Sequence, residues 1–442
     1  MVGMQKTQPP AFGIDFGTTN SSIALATGDS QVQLASFPAW GAQTLSFRSV
    51  LYLERKKKAG APQRTHAWAG PDAIERYLQA EEKGRLIQSL KSYLSSRTLT
   101  GTEVFGRRYT LEELISRILS DLRNHAERQF ATPIRHAMVG RPVRFVGAET
   151  DEDDAFAVSR LREAFTIAGF ENVDFEMEPV AAAYAYESTL DHDELILIGD
   201  FGGGTSDFSL LQVGPGVRKR GRGARDLLGN SGVGLAGDAF DARIVRKLVS
   251  PALGSESHAR SLNKILPAVP AWIYANLERW HYLSFLRTRN VMEILRSARL
   301  RALEPEKIEA LINLIEEDLG YQLHQAVQRV KFELSHSPGA EFHFRDGSMN
   351  LRISVSRGDF EAWIEEELRT IERCVDSLLK TTGVAPREVD RVFLTGGSSF
   401  VPAVRRIFAT RFGEDRIRSG NEFTSVAHGL ALRAQETFRD AS

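Results

Sequence analysis

Short runs in which apolar residues alternate with polar ones, or stand several together, alternate along this chain with longer stretches of helical spacing. Residues 11–27 give two strands around a turn, and Phe47 to Leu53 gives another. The apolar run Leu195 to Ile198 enters the stretch Gly199 to Asp207, and an alternating run, Phe208 to Val213, leaves it, which predicts a hairpin. Helical spacing covers Pro71 to Lys83, Tyr109 to Phe130 and Asp151 to Gly169; the last opens on four acidic residues, as the positive end of a helix dipole favours. Strands follow at His136 to Gly140 and Val173 to Met177, and Glu178-Pro179 opens a helix with proline at its first position. Ser250 to Ser335 reads as helical almost throughout, with Trp272, Tyr274, Trp280, Tyr282 and Phe285 as a subdomain core. Two strands between Phe342 and Val355, an acidic helix from Asp359 to Lys380, a buried strand at Arg391 to Ser398 and a last helix from about residue 424 complete an α/β pattern.

Composition narrows the classes of function. At 442 residues, 42% hydrophobic and 26% charged, the chain has room for two to three globular domains. A net charge of −1 argues against bulk attraction to nucleic acid or to an anionic membrane. The basic stretches at Arg55 to Lys58 and Arg218 to Arg225 read as exposed turns, the second lacking aromatic residues to stack bases. One cysteine, Cys374, excludes an internal disulfide and fits a reducing compartment. With no apolar signal core and no run of membrane-spanning length, the expectation is a cytoplasmic monomer.

Candidate chemistry lies in two glycine turns. In Gly199-Asp200-Phe201-Gly202-Gly203-Gly204-Thr205-Ser206-Asp207, three glycines let several backbone N–H groups converge on one point, as a phosphate-binding loop requires. Asp200 and Asp207 would repel bare phosphate unless a hard cation lies between, and magnesium with part of its water shell suits that role. A glycine-rich hairpin with acidic ends is the plainer alternative. The N-terminal stretch Asp15-Phe16-Gly17-Thr18-Thr19-Asn20-Ser21-Ser22 repeats the design, so two related lobes would each offer a loop to one ligand.

These paired loops, with Glu178-Pro179-Val180-Ala181-Ala182-Ala183 upstream of the second and Leu394-Thr395-Gly396-Gly397-Ser398-Ser399 far downstream, resemble the nucleotide-binding domain of the DnaK-type heat-shock chaperones, within the actin, sugar kinase and heat-shock ATPase superfamily. Ser89 to Leu94, Val139-Gly140-Arg141-Pro142 and Ser231 to Asp238 make the chain similar to the YegD-type branch. The resemblance implies a two-lobed actin-like fold of duplicated ribonuclease H-like lobes, residues 11–194 and 195–442, with a helical subdomain at 250–335 and a final helix at 424–437 returning toward the first lobe. It implies ATP or ADP with magnesium as cofactors, a slow ATPase acting as a nucleotide-gated switch, and a protein client or co-chaperone as partner.

By that resemblance Gly17, Thr18, Thr19 and Asn20 with Gly202, Gly203, Gly204 and Thr205 cradle the phosphates. Asp15, Asp200 and Glu178 organise magnesium through its waters, while Lys91 and Asp207 orient the attacking water. Gly237 touches phosphate, with Ala236 where the chaperones carry glycine. Gln328, Lys331, Ser335, Gly396, Gly397, Ser398 and Phe400 surround the nucleoside. Phe332 and Phe400 stand where the chaperones carry arginines stacked on adenine, and an aromatic pair offers π-faces to a purine instead. The apolar linker and β-rich peptide-binding domain of the chaperones have no counterpart up to Ser442. A small-molecule kinase of the same superfamily and an actin- or MreB-like filament protein are the alternative readings.

Overall fold

The computed structural model describes residues 10–439 apart from 28–30, 40–41, 57–63, 81–83, 188, 221–225, 262–263, 279–285, 347–348 and 420–424. The described chain forms two compact units. One holds the chain up to Ala236 together with Thr370–Ser399 and the residues from Arg405 onward, and the other holds Gly237–Arg369 with Phe400–Val404. The division expected between residues 194 and 195 falls inside the larger unit, and the smaller one begins at Gly237.

The larger unit contains two sheets of one design. In the first, β1 (Ala11–Phe16), β2 (Asn20–Thr27) and β3 (Gln31–Leu34) form an antiparallel meander, and β4 (His136–Arg141) and β5 (Asn172–Met177) add to the β1 side in parallel, giving the order β5-β4-β1-β2-β3. In the second, β6 (Glu194–Phe201), β7 (Ser206–Val213) and β8 (Leu227–Val233) form the meander, with β9 (Arg391–Thr395) and β10 (Ile417–Ser419) parallel beside β6. The order β10-β9-β6-β7-β8 repeats the first. Ile196, Leu197 and Ile198 of β6 are buried, as befits a central strand paired on both sides, antiparallel to β7 and parallel to β9.

Three helices fix these sheets near the site. α1 (Leu111–Phe130) starts at a capping box between Thr110 and Glu113, and α2 (Asp151–Ile167) at one between Thr150 and Asp153. α3 (Glu178–Glu187) buries Ala181, Ala182 and Ala183, a surface small enough for another helix to approach closely.

In the smaller unit, α4 (Gly237–Ile244) and α5 (Gly320–His336) accompany the hairpin Gly339–Asp346 with Met349–Ser356. The last helix, α6 (Ser425–Arg439), belongs to the larger unit and packs on α3 and β1. A Cβ at Gly429 would stand 1.6 Å from the Ala181 carbonyl oxygen, and one at Gly13 would stand 2.2 Å from the Ala431 nitrogen, so glycine alone permits these contacts.

Three expectations are corrected. The stretch expected to be helical from Ser250 to Ser335 is interrupted by a hairpin of His258–Ser261 with Lys264–Pro267, where Pro267 and Pro270 cannot sit inside a helix. Tyr274 is buried and Trp272 exposed, while Trp280, Tyr282 and Phe285 lie outside the described residues. The basic stretch expected as a turn is partly helix, Pro215–Arg220, with Arg220 paired to Asp226; residues 221–225 lie outside the described ones. The acidic helix is two, Arg357–Trp363 and Glu365–Thr382, meeting at Ile364.

Candidate functional site

Both glycine turns close hairpins whose strands end in carboxylates. In the first, Asp15 pairs across the ladder with Ser22; in the second, Asp200 pairs with Asp207. Gly17 is required because a Cβ there would lie 2.2 Å from the Asn20 carbonyl oxygen, and the second turn is closed by the Gly202 N–H donating to the Thr205 carbonyl at 2.9 Å. The turns face each other, since a Cβ at Gly204 would lie 3.8 Å from Thr18 Oγ1. Gly203 sits in the same turn, half-buried. The Asn20 amide oxygen accepts from Arg48 at 3.1 Å, so that side chain is already engaged.

Two further elements bring charge to this spot. Lys91 rides on a single turn of 3₁₀ helix, Leu90–Tyr93, and Glu178 opens α3 directly after β5. Lys91 Nζ pairs with Glu178 Oε1 at 2.5 Å, and both side chains are buried. The Thr395 hydroxyl, at the end of β9, donates to Asp200 Oδ1 at 2.5 Å, and the Val143 N–H donates to Asp207 Oδ1 at 2.9 Å. Asp207 Oδ2 is buried with no hydrogen-bond partner. After β9 the chain turns at Gly396, whose φ of +83° and close approach to the Phe201 carbonyl both demand glycine; Gly397–Phe400 form one 3₁₀ turn that buries Ser398.

Four carboxylates, Asp15, Glu178, Asp200 and Asp207, thus surround one ammonium. Burial, followed by the charge of Glu178, pushes the Asp200 carboxyl up to about 6 and holds Asp15 and Asp207 well above the ordinary aspartate range. Burial opposes the charge on Lys91, yet Glu178 and Asp15 outweigh it and raise the ammonium above its usual value. Such an excess of negative charge, with one carboxylate oxygen unpartnered, fits a site that takes up a divalent cation. Among the described residues no three carboxylate, imidazole or thiolate side chains are grouped to ligate a metal directly.

A model of the family described as Hsp70 protein matches residues 11–261 and 306–436. The chain belongs to the Hsp70 family. It is 26% identical over 424 residues to a protein named chaperone protein DnaK from Thermosipho africanus, and 26% identical over 423 residues to that of Thermotoga maritima, alignments that each cover 96% of this chain. It spans only 58% of the length of these Hsp70 relatives.

The smaller unit carries the remaining expected residues. Gly237 opens α4, and on α5 Gln328 is half-buried while Lys331 pairs with the buried Asp241 at 2.7 Å and donates to the Gly237 carbonyl at 3.3 Å. Lys331 is therefore tied to α4, a tie that its expected place beside the nucleoside did not foresee. The Ser335 hydroxyl donates back to the Lys331 carbonyl. Phe332 and Phe400 are both exposed, and their ring centroids lie 4.4 and 6.1 Å from that of His336.

Sequence reasoning missed Thr395, Val143 and Asp154 as supports of the site. Asp154 accepts from the Phe145 N–H and pairs with Arg141, which steadies the loop that presents the Val143 N–H to Asp207. The acidic run at 151–154 had signalled only a helix start, a role that Thr150 and Asp153 do fill.

Proposed function

We propose that this chain binds ATP as its magnesium complex and hydrolyses it slowly, as a nucleotide-gated switch of the heat-shock type that serves a protein client. The observation that carries this reading is the gathering of Asp15, Lys91, Glu178, Asp200 and Asp207 at two facing glycine turns of duplicated sheets. The turns at Gly17 to Thr19 and Gly202 to Thr205 would offer backbone N–H groups to the β- and γ-phosphates. Asp15, Asp200 and Glu178 would hold magnesium through its waters, and magnesium when bound would neutralise phosphate charge. Asp207 Oδ2 is free to accept a hydrogen bond from the attacking water, with Lys91 as a fixed cation beside it. Thr205 would bond the γ-phosphate. The Gly396 to Ser398 turn would meet the rest of the nucleotide. Catalysis would consist of positioning and charge neutralisation.

The test is phosphate release and ATP binding in one sample, with and without magnesium, for the native chain and for Asp200→Asn. The expected result is magnesium-dependent release that Asp200→Asn abolishes while circular dichroism stays native. Release from the variant at the native rate would overturn the assignment.

A further inference from the structure

Lys91 is held in place from an unexpected direction. Its turn begins at Ser89, buried and in the left-handed conformation at φ +55°, a backbone state that costs a non-glycine residue on the order of 1 kcal/mol or more. Such a conformation persists only if both flanks are fixed. The upstream flank is the strand Arg85–Gln88, paired with Val50–Lys56. The downstream flank, residues 93–99, has no sheet partner. There the guanidinium of Arg160, reaching from α2, donates through Nη1 to the carbonyl of Ser96 at 3.0 Å and to those of Tyr93 and Leu94 at 3.4 Å, and through Nη2 to the carbonyl of Leu99 at 3.3 Å. Arg160 Nε donates to Glu112 Oε1 on α1.

We propose that Arg160, kept in register by Glu112, is a positioning residue that fixes the turn carrying Lys91 and so sets where the ammonium stands among the four carboxylates. A planar guanidinium with five donors suits this task, because it ties four carbonyls of an irregular segment and one carboxylate at once, whereas a lysine presents a single point charge. Both partners are buried, with Arg160 6% and Glu112 8% exposed, so the pair cannot be a solvent-facing accident of rotamers. Burial works to raise the Glu112 carboxyl, but the hydrogen bond and charge of Arg160, with hydrogen bonds from the helix backbone and Thr110, together outweigh that and hold it below the ordinary range. The inference rests on the role proposed above for Lys91.

Removing Arg160 alone would strand a buried carboxylate and risk unfolding, so the informative variant is Glu112→Leu with Arg160→Met, which deletes both charges at similar volume. Three measurements decide the matter. In phosphate release, the double variant should lose about tenfold or more in kcat with little change in KM, as misplacement of a reacting-centre group predicts. In a Lys91→Ala background the same double change should cause no further loss, because Arg160 acts through Lys91 alone. In the nucleotide-free protein, amide exchange at Ser92, Leu94 and Ser96 should accelerate in the double variant while exchange in β6 and β9 is unaltered. Arg160→Lys, which keeps the charge but not the fork, should restore little of the protection. An unchanged kcat, an equal loss in the Lys91→Ala background, or unchanged exchange in a folded variant would overturn the proposal. A native chain that released no phosphate would refute the ATPase reading, and amide exchange would still decide whether Arg160 holds the turn.

Discussion

Asp200 binds its proton more tightly in the folded chain than in the unfolded one, since its carboxyl stands at about 6 against an ordinary 3.8. Its contribution to stability is therefore complete below pH 4 and is lost as the pH rises to 6, a change of about 3 kcal/mol. Asp200→Asn should remove that slope and raise the melting temperature of the nucleotide-free protein at pH 7, to be measured by thermal unfolding across pH 4 to 8. Magnesium nucleotide should bind the native chain more tightly as the pH passes upward through 6, because the cation needs the ionised carboxylate. Thr395→Val removes the hydroxyl that favours ionised Asp200, and should move the midpoint of that binding curve up by about one pH unit. The acidic residues themselves were legible from sequence because glycines mark their turns. Thr395 and Val143 were not, since each meets its aspartate only through the fold and neither residue type signals such a role.

At the scale of elements, the two hairpins were readable because their sequences repeat Asp-Phe-Gly and a later serine, and the ladder places Asp15 and Asp200 at the same register. The three buried alanines of α3 lie on a helix that packs against α6. Gly429→Ala should therefore be severe: a methyl group 1.6 Å from a carbonyl oxygen forces two backbones apart, at a cost of about 3 kcal/mol or more, seen as a lowered denaturation midpoint at unchanged m-value. What sequence could not show was the small hairpin at 258–267. Its strands are four residues each, too short for a period of two to stand out from helical spacing.

For the molecule as a whole, α6 closes a core that begins at the other end of the chain. Val426, Ala427, Leu430, Ala431 and Ala434 share one buried cluster with Ala11, Ala24 and Met138. A chain ending before Ser425 should lose cooperative unfolding and become sensitive to limited proteolysis. Residues 262–305, between the two stretches that the family model matches, carry Ile265, Leu266, Trp272, Leu300 and Leu303, all exposed. Ile265→Glu with Leu300→Glu should leave the unfolding free energy within about 1 kcal/mol of native, measured by denaturant titration. The twin sheets also differ at one informative place. Ser22 and Asp207 hold equivalent positions, each near the start of the second hairpin strand and opposite the aspartate of the first, yet only the latter carries an acid, and the Ser22 hydroxyl is buried with no hydrogen-bond partner. If the hairpins descend from one ancestor, their divergence left the molecule handed at its centre. An oxyanion resting there would meet an acid on the Asp207 side and a hydroxyl on the Ser22 side.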